Sequence, residues 1–410
     1  MIVGAIISCA AFGPQWGLGQ FVVGRVISGL GNGMDTATIP VWQSEASQAK
    51  NRGLLVCLEG AVIAVGTFIA YWLNFGLSYL GSTVEWRFPV AFQIFFAIIM
   101  CIGMWLLPES PRWLVAHNYN DEARKVLAAL YDVPENDETI DGTISLMQAN
   151  MNISGESSLK NLLTGGKTQH RQRAFLGAST QFLQQFTGCN AAIYYSTLLF
   201  EQTLGMERRL ALILGGVFST VYMLATIPSF FMIDRVGRRK LFLLGLLGQG
   251  LSFMITFACL VDENPQNAKG AVVGLYLFIV FFAFTLLPLP WIYPPEINPL
   301  RTRTAAASVS TCTNWICNFA VVMFTPVFAA TSGWGTYLFF AIINLSAIPF
   351  VYFFYPEVSR CFQVTIFVGS HLLTTCLRPL AAILKRSTSS SPRRTTRRSD
   401  RSRLPIACRI

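Results

Sequence analysis

Two adjacent glutamines, an asparagine and a pair of tyrosines interrupt an apolar segment of membrane-span length, residues 174–200. They lie within "QQFTGCNAAIYYS", as Gln184, Gln185, Asn190, Tyr194 and Tyr195. A carboxamide both donates and accepts hydrogen bonds, and an aromatic ring offers an apolar face. Inside a span, such side chains either tie neighbouring helices together or hold a polar solute in the middle of the membrane.

The spacing of these residues indicates a helix that breaks. Gln181, Gln184, Gln185 and Gly188 follow the i, i+3, i+4, i+7 pattern of one helix face. Asn190 lies about 120° from Gln184 on a regular helix of 3.6 residues per turn. A break at Gly188 would turn Asn190 inward, and helices broken near the midplane are typical of transporter sites. We therefore expect the chain to break at Gly188.

Two further segments carry groups that suit the same chemistry. Trp291 follows "LPLP", in which Pro288 and Pro290 interrupt a helix. It belongs either to the site or to an interfacial aromatic belt. Asn314 and Asn318 lie four residues apart and therefore on one helix face.

The composition is that of a polytopic membrane protein. Of the 410 residues, 53% are hydrophobic and 13% are charged, against about 25% charged in soluble domains, and the mean hydropathy is +0.48. Ten apolar segments are evident, the first too short to span alone. They are residues 1–13, 19–43, 54–79, 88–107, 174–203, 209–233, 240–261, 270–294, 304–329 and 335–355. We find no nucleophile–base pair, metal-ligand cluster or phosphate-binding loop, so we expect no enzyme, cofactor or metal ion.

The distribution of charge predicts an orientation. Connections on one side hold eight Lys and Arg residues and those on the other side hold four, which places the first group in the cytoplasm. The cytoplasmic side then includes the polar linker, residues 108–172, with short amphipathic helices, and the C-terminus. Residues 356–410 hold 11 Lys and Arg against two Asp and Glu. These residues therefore contribute +9 of the net charge of +10, and we expect no nucleic-acid partner.

An internal repeat divides the chain into two halves. Glu45 and Arg52 lie seven residues apart in "PVWQSEASQAKNRG", as do Glu296 and Arg303 in "PWIYPPEINPLRTRT". Glu296 follows Glu45 by 251 residues, and the glutamate of "YPE" follows Glu109 of "PESPRWL" by 248. Parallel repeats that flank a midplane site are a transporter architecture. Counting back from the second copy, we expect about two helices of the first half to be missing before residue 1.

These motifs resemble the sugar porter family of the major facilitator superfamily, in its fungal branch. The resemblance runs from residue 1 to 357 through "GRVISGLGNGM", "PESPRWL", "QQFTGCNAAIYYS", "DRVGRRKL" and "NWICNF". It implies an all-α membrane fold with ten of the usual twelve helices. It further implies a sugar site whose residues are Gln184, Gln185, Asn190, Tyr194, Tyr195, Trp291, Asn314 and Asn318, with Trp291 beneath the sugar. A cytoplasmic gating network would contain Glu45, Arg52, Glu109, Arg112, Asp234, Arg238, Glu296 and Arg303.

Some positions depart from the family pattern. Tyr222 stands where some relatives have an asparagine. Arg25 is a charge within a span, and such residues are usually functional; in proton-coupled relatives its partner lies on the first helix. The residues after Glu357 do not continue the family's pattern, and we expect a basic, disordered tail over residues 358–410.

The sequence thus predicts an incomplete first half (1–107), a linker (108–172), a six-span second half (173–357) and a tail. We expect a plasma-membrane transporter of a small sugar or polyol that works by alternating access, with proton coupling left open. The expected partners are the solute and the lipid bilayer. The alternatives are a sugar-binding nutrient sensor and an inactive fragment of a transporter.

Overall fold

The structure is a computed structural model that describes residues 1–12, 17–47, 52–154, 162, 169–203, 205–261, 267–299 and 302–357. The expected tail, residues 358–410, lies outside the described residues, as do parts of the linker after residue 154. The side chains of Arg52 and Asp234 also lie outside the described set, although their backbones belong to helices.

The secondary structure of the described residues is helical throughout. We number the α-helices in chain order; a short π-helix, Leu199–Thr203, follows α9. The helices are α1 (Ile2–Cys9), α2 (Gly17–Glu45), α3 (Arg52–Leu77), α4 (Val84–Leu106), α5 (Pro111–Ala116), α6 (Asn120–Tyr131), α7 (Glu138–Ser154), α8 (His170–Phe186), α9 (Cys189–Leu198), α10 (Arg208–Ala225), α11 (Ser229–Val236), α12 (Arg238–Val261), α13 (Asn267–Phe284), α14 (Leu289–Ile297), α15 (Arg303–Thr331) and α16 (Gly333–Phe354).

Each of the ten apolar segments contains helix, which confirms the predicted fold class. Within the described part of the chain, seven segments are long and apolar enough to cross a membrane. They are Gly53–Leu77, Val84–Leu106, Arg208–Ile233, Arg238–Val261, Lys269–Ile297, Arg303–Thr331 and Gly333–Phe354. The segment with the paired glutamines is divided into α8 and α9 and is not one of these seven.

The helices α5, α6 and α7 form a small cluster with its own apolar core. Ser110 caps α5, since its hydroxyl accepts a hydrogen bond from the backbone N–H of Trp113 at 3.1 Å. Leu114, Leu127 and Ile140 are buried in the core of this cluster. The helix α6 lies in the linker, where the sequence predicts short amphipathic helices. We call the end of the bundle that lies near α5 the linker end.

The N-terminal helices (α1–α4) contact the C-terminal helices (α8–α16) along two lines. The helix α3 packs against α10 and α11, and α2 packs against α15. Trp72 on α3 donates a hydrogen bond to Thr220 at 3.1 Å, and Trp315 on α15 donates to Thr36 on α2 at 3.1 Å. These indole donors fix how the two groups of helices face each other.

An aromatic core stiffens the C-terminal helices. The ring centroids of Phe253 and Phe278 lie 4.2 Å apart, and those of Phe253 and Phe340 lie 5.8 Å apart. All three side chains are buried. Aromatic pairs at this separation stabilise a core beyond the area they bury, so α12, α13 and α16 provide a rigid support for the broken helices.

Candidate functional site

The chain breaks at Gly188, as the sequence predicts. The helix α8 ends at Phe186, Gly188 has φ +90°, and α9 begins at Cys189. A Cβ at position 188 would lie 2.8 Å from the ring of Phe340, so both the backbone conformation and the space require glycine. The amide of Asn344 donates to the carbonyl of Thr187 at 3.1 Å, which satisfies a polar group exposed by the break.

A second break separates α13 from α14 and is produced by prolines. Pro290 and Pro294 have no N–H, so the carbonyls of Leu286 and Pro290 lack their usual helical donors. Two α8 glutamines replace those donors. Gln184 Nε2 donates to the Leu286 carbonyl at 2.9 Å, and Gln181 Nε2 donates to the Pro290 carbonyl at 2.9 Å. These amides therefore do tie helices together, as one of the two interpretations proposes.

The next amide along α8 is part of a chain of carboxamides. Asn190 donates from Nδ2 to Gln185 Oε1 at 2.6 Å, and Gln185 donates from Nε2 to Asn314 Oδ1 at 2.6 Å. Each bond fixes the orientation of the next amide. The chain joins α9, α8 and α15 and leaves the Oδ1 of Asn190 and the Nδ2 of Asn314 at its two ends as an acceptor and a donor.

These groups surround a cavity of about 160 Å³, which we call the central cavity. Its described lining contains polar, aromatic and apolar side chains but no charged one: Ile63, Thr67, Gln184, Gln185, Cys189, Asn190, Ile193, Tyr194, Tyr222, Phe282, Leu287, Trp291 and Asn314. A cavity with neutral donors and acceptors and aromatic faces suits a neutral solute with several hydroxyl groups. It does not suit an ion, whose burial without a counter-charge is costly.

The structure brings together six of the eight side chains expected at the sugar site. Tyr195 and Asn318 are the two that do not line the central cavity. The hydroxyl of Tyr195 donates to the carbonyl of Val322 at 3.1 Å, so this side chain joins α9 to α15. Asn318 is buried one helical turn beyond Asn314, and its Oδ1 has no hydrogen-bond partner among the described residues.

Several lining residues were not expected as site residues. Tyr222 is almost fully buried and lines the central cavity, although the sequence marked it only as a departure from the family pattern. Thr67 on α3 is a polar residue in an apolar helix, a signal that could have identified it. Ile63 and Phe282 carry no such signal, because an apolar side chain in a span is expected whether it faces a cavity or lipid.

Among the expected gating residues near the first half, the ion pair that the structure describes joins residues that are far apart in the sequence. Arg112 lies 3.6 Å from Glu45, and Ser110 donates to the other Glu45 carboxylate oxygen at 2.9 Å. Glu109 is exposed. The side chain of Arg52, another expected gating residue, lies outside the described residues.

In the second half, Arg238 and Glu296 form an ion pair at 3.1 Å, and the backbone N–H of Arg238 donates to Glu357 at 3.0 Å. Arg112 of the linker thus pairs with the first half, and Arg238 and Glu296 pair within the second half. Ion pairs between the two halves, which the family's gating network implies, stay a prediction. Arg303 begins α15 at the linker end. Arg25 is exposed and lies near the start of α2, whereas Glu45 is the last residue of that helix.

Comparison with known proteins agrees with this architecture. The family model "Sugar (and other) transporter" matches residues 1–362. The Major facilitator superfamily transporter mfsA of Aspergillus fumigatus is 61% identical over 361 residues, covering 88% of this chain and 67% of that protein. Sugar transporter STL1 of Saccharomyces cerevisiae is 57% identical over 360 residues, covering 87% of this chain and 63% of that protein. The chain thus spans about two thirds of the length of these relatives.

Solved structures show the same fold. The proton:xylose symporter XylE bound to 6-bromo-6-deoxy-D-glucose superposes with a TM-score of 0.74 at 22% identity, over 87% of this chain and 78% of that one. A partially occluded inward-open form of the xylose transporter XylE from E. coli gives a TM-score of 0.70 at 19% identity, over 87% of this chain and 79% of that one. Since the family model covers most of the sequence and the broken helices enclose a neutral cavity, the chain belongs to the sugar transporter family of the major facilitator superfamily.

Proposed function

We propose that this protein carries a small sugar or polyol across a membrane by alternating access. The observation that carries the proposal is the carboxamide chain of Asn190, Gln185 and Asn314 within a cavity whose described lining is uncharged. Such a chain presents oriented donors and acceptors to hydroxyl groups, and Trp291 and Tyr222 add flat faces for the apolar side of a ring. Family membership supports a transporter rather than an enzyme.

The transport cycle that we propose moves residues 1–107 relative to residues 173–357 around the central cavity. The contacts of α3 with α10 and α11, and of α2 with α15, would open on one side at a time. The linker 108–172 and the C-terminus would face the cytoplasm, and the protein would reside in the plasma membrane. The excess of Lys and Arg in the connections of the linker end supports this orientation.

The proposal is tested by uptake of radiolabelled hexoses, pentoses and polyols into proteoliposomes that contain the purified protein. We expect saturable uptake of at least one of these solutes. The substitution Gln185→Ala should weaken its apparent affinity about tenfold to a hundredfold, because Asn190 and Asn314 both lose the partner that orients them. Uptake by the wild type that is no faster than by empty liposomes would contradict the proposal.

A further inference from the structure

A second, smaller cavity lies between Trp291 and the linker end, and we call it the inner cavity. Its volume is about 20 Å³. The lining includes Thr36 of α2, Gln181 of α8 and Ser310 of α15, together with Trp291, Pro294 and Ala307. Trp291 also lines the central cavity, so one indole separates the two spaces.

Two polar atoms in the inner cavity have no hydrogen-bond partner among the described residues. They are the Oε1 of Gln181 and the Oγ of Ser310. Gln181 is 1% exposed and Ser310 is 2% exposed. Buried polar groups are nearly always paired, and an unpaired one destabilises the fold by about 1–3 kcal/mol. Two such groups that face one cavity indicate a site for a hydrogen-bonding ligand.

Unpaired buried oxygens also occur on both sides of the inner cavity, one towards the central cavity and one towards the linker end. Gln184 of the central cavity has its Oε1 unpaired, and so does the Oδ1 of Asn298 at the end of α14. Both side chains are buried. A Cβ placed on Gly177 would lie 3.1 Å from Ser310 Oγ and 3.6 Å from Asn298 Nδ2, so these two side chains converge on the same turn of α8. The unpaired oxygens thus descend from the central cavity towards the linker end.

We propose that the inner cavity is a second binding station for the hydroxyl groups of the transported solute, on its path to the linker side. The proposal rests on the proposed function. The unpaired atoms are oxygens, and the amide oxygens among them only accept hydrogen bonds, so they select ligands that donate from O–H. The present volume accommodates one water molecule. A sugar hydroxyl would take the place of this water when α2 moves away from α15 and the cavity widens.

The test compares transport from the two faces of the membrane. Half-saturating concentrations for entry from each side are measured with right-side-out and inside-out proteoliposomes, using the solute that the uptake assay identifies. We expect Ser310→Ala to raise the value for the linker side about threefold to tenfold and to leave the opposite side unchanged. The matched control is Ser308→Ala, because Ser308 lies on the same helix, is exposed and already donates to the Thr304 carbonyl. It should change neither value.

The outcomes separate the station from the proposed function. Asn314→Ala, in the central cavity, should weaken transport from both sides. If Asn314→Ala does so while Ser310→Ala changes neither side or both sides equally, the station is wrong, the inner cavity holds water only, and the proposed function stands. No saturable flux in the wild type would contradict both. A purely structural role for Ser310 would instead appear as a lower melting temperature of Ser310→Ala, which our account does not expect because this hydroxyl has no described partner to lose.

Discussion

Gln185 on α8 and Asn314 on α15 are joined by a hydrogen bond of 2.6 Å from Nε2 to Oδ1. The bond lies across the wall of the central cavity, and Asn190 completes the chain from the far side of the Gly188 break. Because α8 and α15 also pack closely along their length, the orientation of these amides is set before any solute enters. A preorganised site loses less conformational entropy on binding than a flexible one.

Gln184 should differ from Gln185 in what its loss affects. Gln184 Nε2 donates to the carbonyls of Leu286 and Leu287, at 2.9 and 3.2 Å, which the proline break leaves without helical donors. We expect Gln184→Leu to lower the stability of the folded protein by about 1–3 kcal/mol, because it leaves buried carbonyls unpaired. Thermal unfolding in detergent is the measurement. A melting temperature equal to that of the wild type would contradict the role of Gln184 in holding α13 and α14.

The Gly188 break predicts a stability loss with two separable parts. Gly188→Ala should cost about 1–2 kcal/mol for the left-handed backbone and about 1–3 kcal/mol more for overlap with the ring of Phe340. The control is Gly81→Ala, because Gly81 also has positive φ, at 57°, but has no atom within 4 Å of a Cβ placed there. Gly81→Ala should show only the first part. Equal losses of melting temperature in both variants would mean that contact with Phe340 is unimportant.

Tyr71 should control access to the central cavity from the side opposite the linker. Its hydroxyl contacts the carbonyl of Ile193 and lies 2.8 Å from Ser196 Oγ, which ties α3 to α9. Tyr71→Phe removes these bonds and should shift the equilibrium towards an open state. We expect severalfold faster labelling of Cys189, a buried thiol that lines the cavity, by a membrane-impermeant maleimide.

The control for this experiment is Tyr79→Phe, since Tyr79 is an exposed tyrosine just after the end of α3. It should leave the labelling rate unchanged. Labelling of Cys189 is followed by mass spectrometry of the isolated peptide, so that other thiols do not contribute. If Tyr71→Phe and Tyr79→Phe give the same rate as the wild type, the hydroxyl of Tyr71 does not hold the cavity closed.

The linker helices should show a pH dependence that originates at Asp137. The backbone N–H and the hydroxyl of Thr139 both donate to this carboxylate at 2.8 Å and hold its pKa below the ordinary value of 3.8. A carboxyl whose pKa is lowered by folding stabilises the fold above its ordinary pKa and loses that effect as the pH falls through the lowered pKa. Asp137→Ala should therefore speed amide exchange in the first turn of α7 at neutral pH.

The difference between Asp137→Ala and the wild type should disappear only as the pH falls through the lowered pKa of Asp137, which lies below 3.8, because the folded wild-type carboxylate is protonated only there. Hydrogen exchange with mass spectrometry resolves α7 from the membrane helices, which serve as the internal reference. A difference that stays constant from neutral to acid pH would show that the contribution of Asp137 to the first turn of α7 does not depend on its charge.

Much of the fold and part of the site could be predicted from the sequence because both breaks have local causes. Gly188 and the prolines around Pro290 determine where α8 and α13 end, and the amides around them are conspicuous in apolar segments. The separate roles of the two tyrosines could not be predicted. The break at Gly188 interrupts the helical periodicity, so spacing does not tell which tyrosine faces the cavity. In the structure Tyr194 lines the central cavity and Tyr195 contacts Val322.

Other features depend on tertiary contacts that sequence spacing does not contain. Asn314 and Asn318 share a helix face, yet only Asn314 lines the central cavity. The spacing of Glu45 and Arg52 showed the repeat but not the neighbours of Glu45, which the structure shows to include Arg112 and Ser110. The different roles of Gln181, Gln184 and Gln185 could not be predicted either. They depend on which backbone carbonyls the prolines leave without a helical N–H donor.

The assignment of the central cavity as the solute site is tested by equilibrium binding of the transported solute to Asn314→Ala and to its neighbour variant Thr313→Ala. Asn314 is buried and ends the carboxamide chain, whereas Thr313 is half-buried and its hydroxyl donates to the Val309 carbonyl of the same helix. Titration of the purified, folded proteins should give an affinity about tenfold to a hundredfold weaker for Asn314→Ala, from one lost hydrogen bond and one unpaired amide, and an unchanged affinity for Thr313→Ala. Equal affinities for Asn314→Ala and the wild type would contradict the assignment of the central cavity as the solute site.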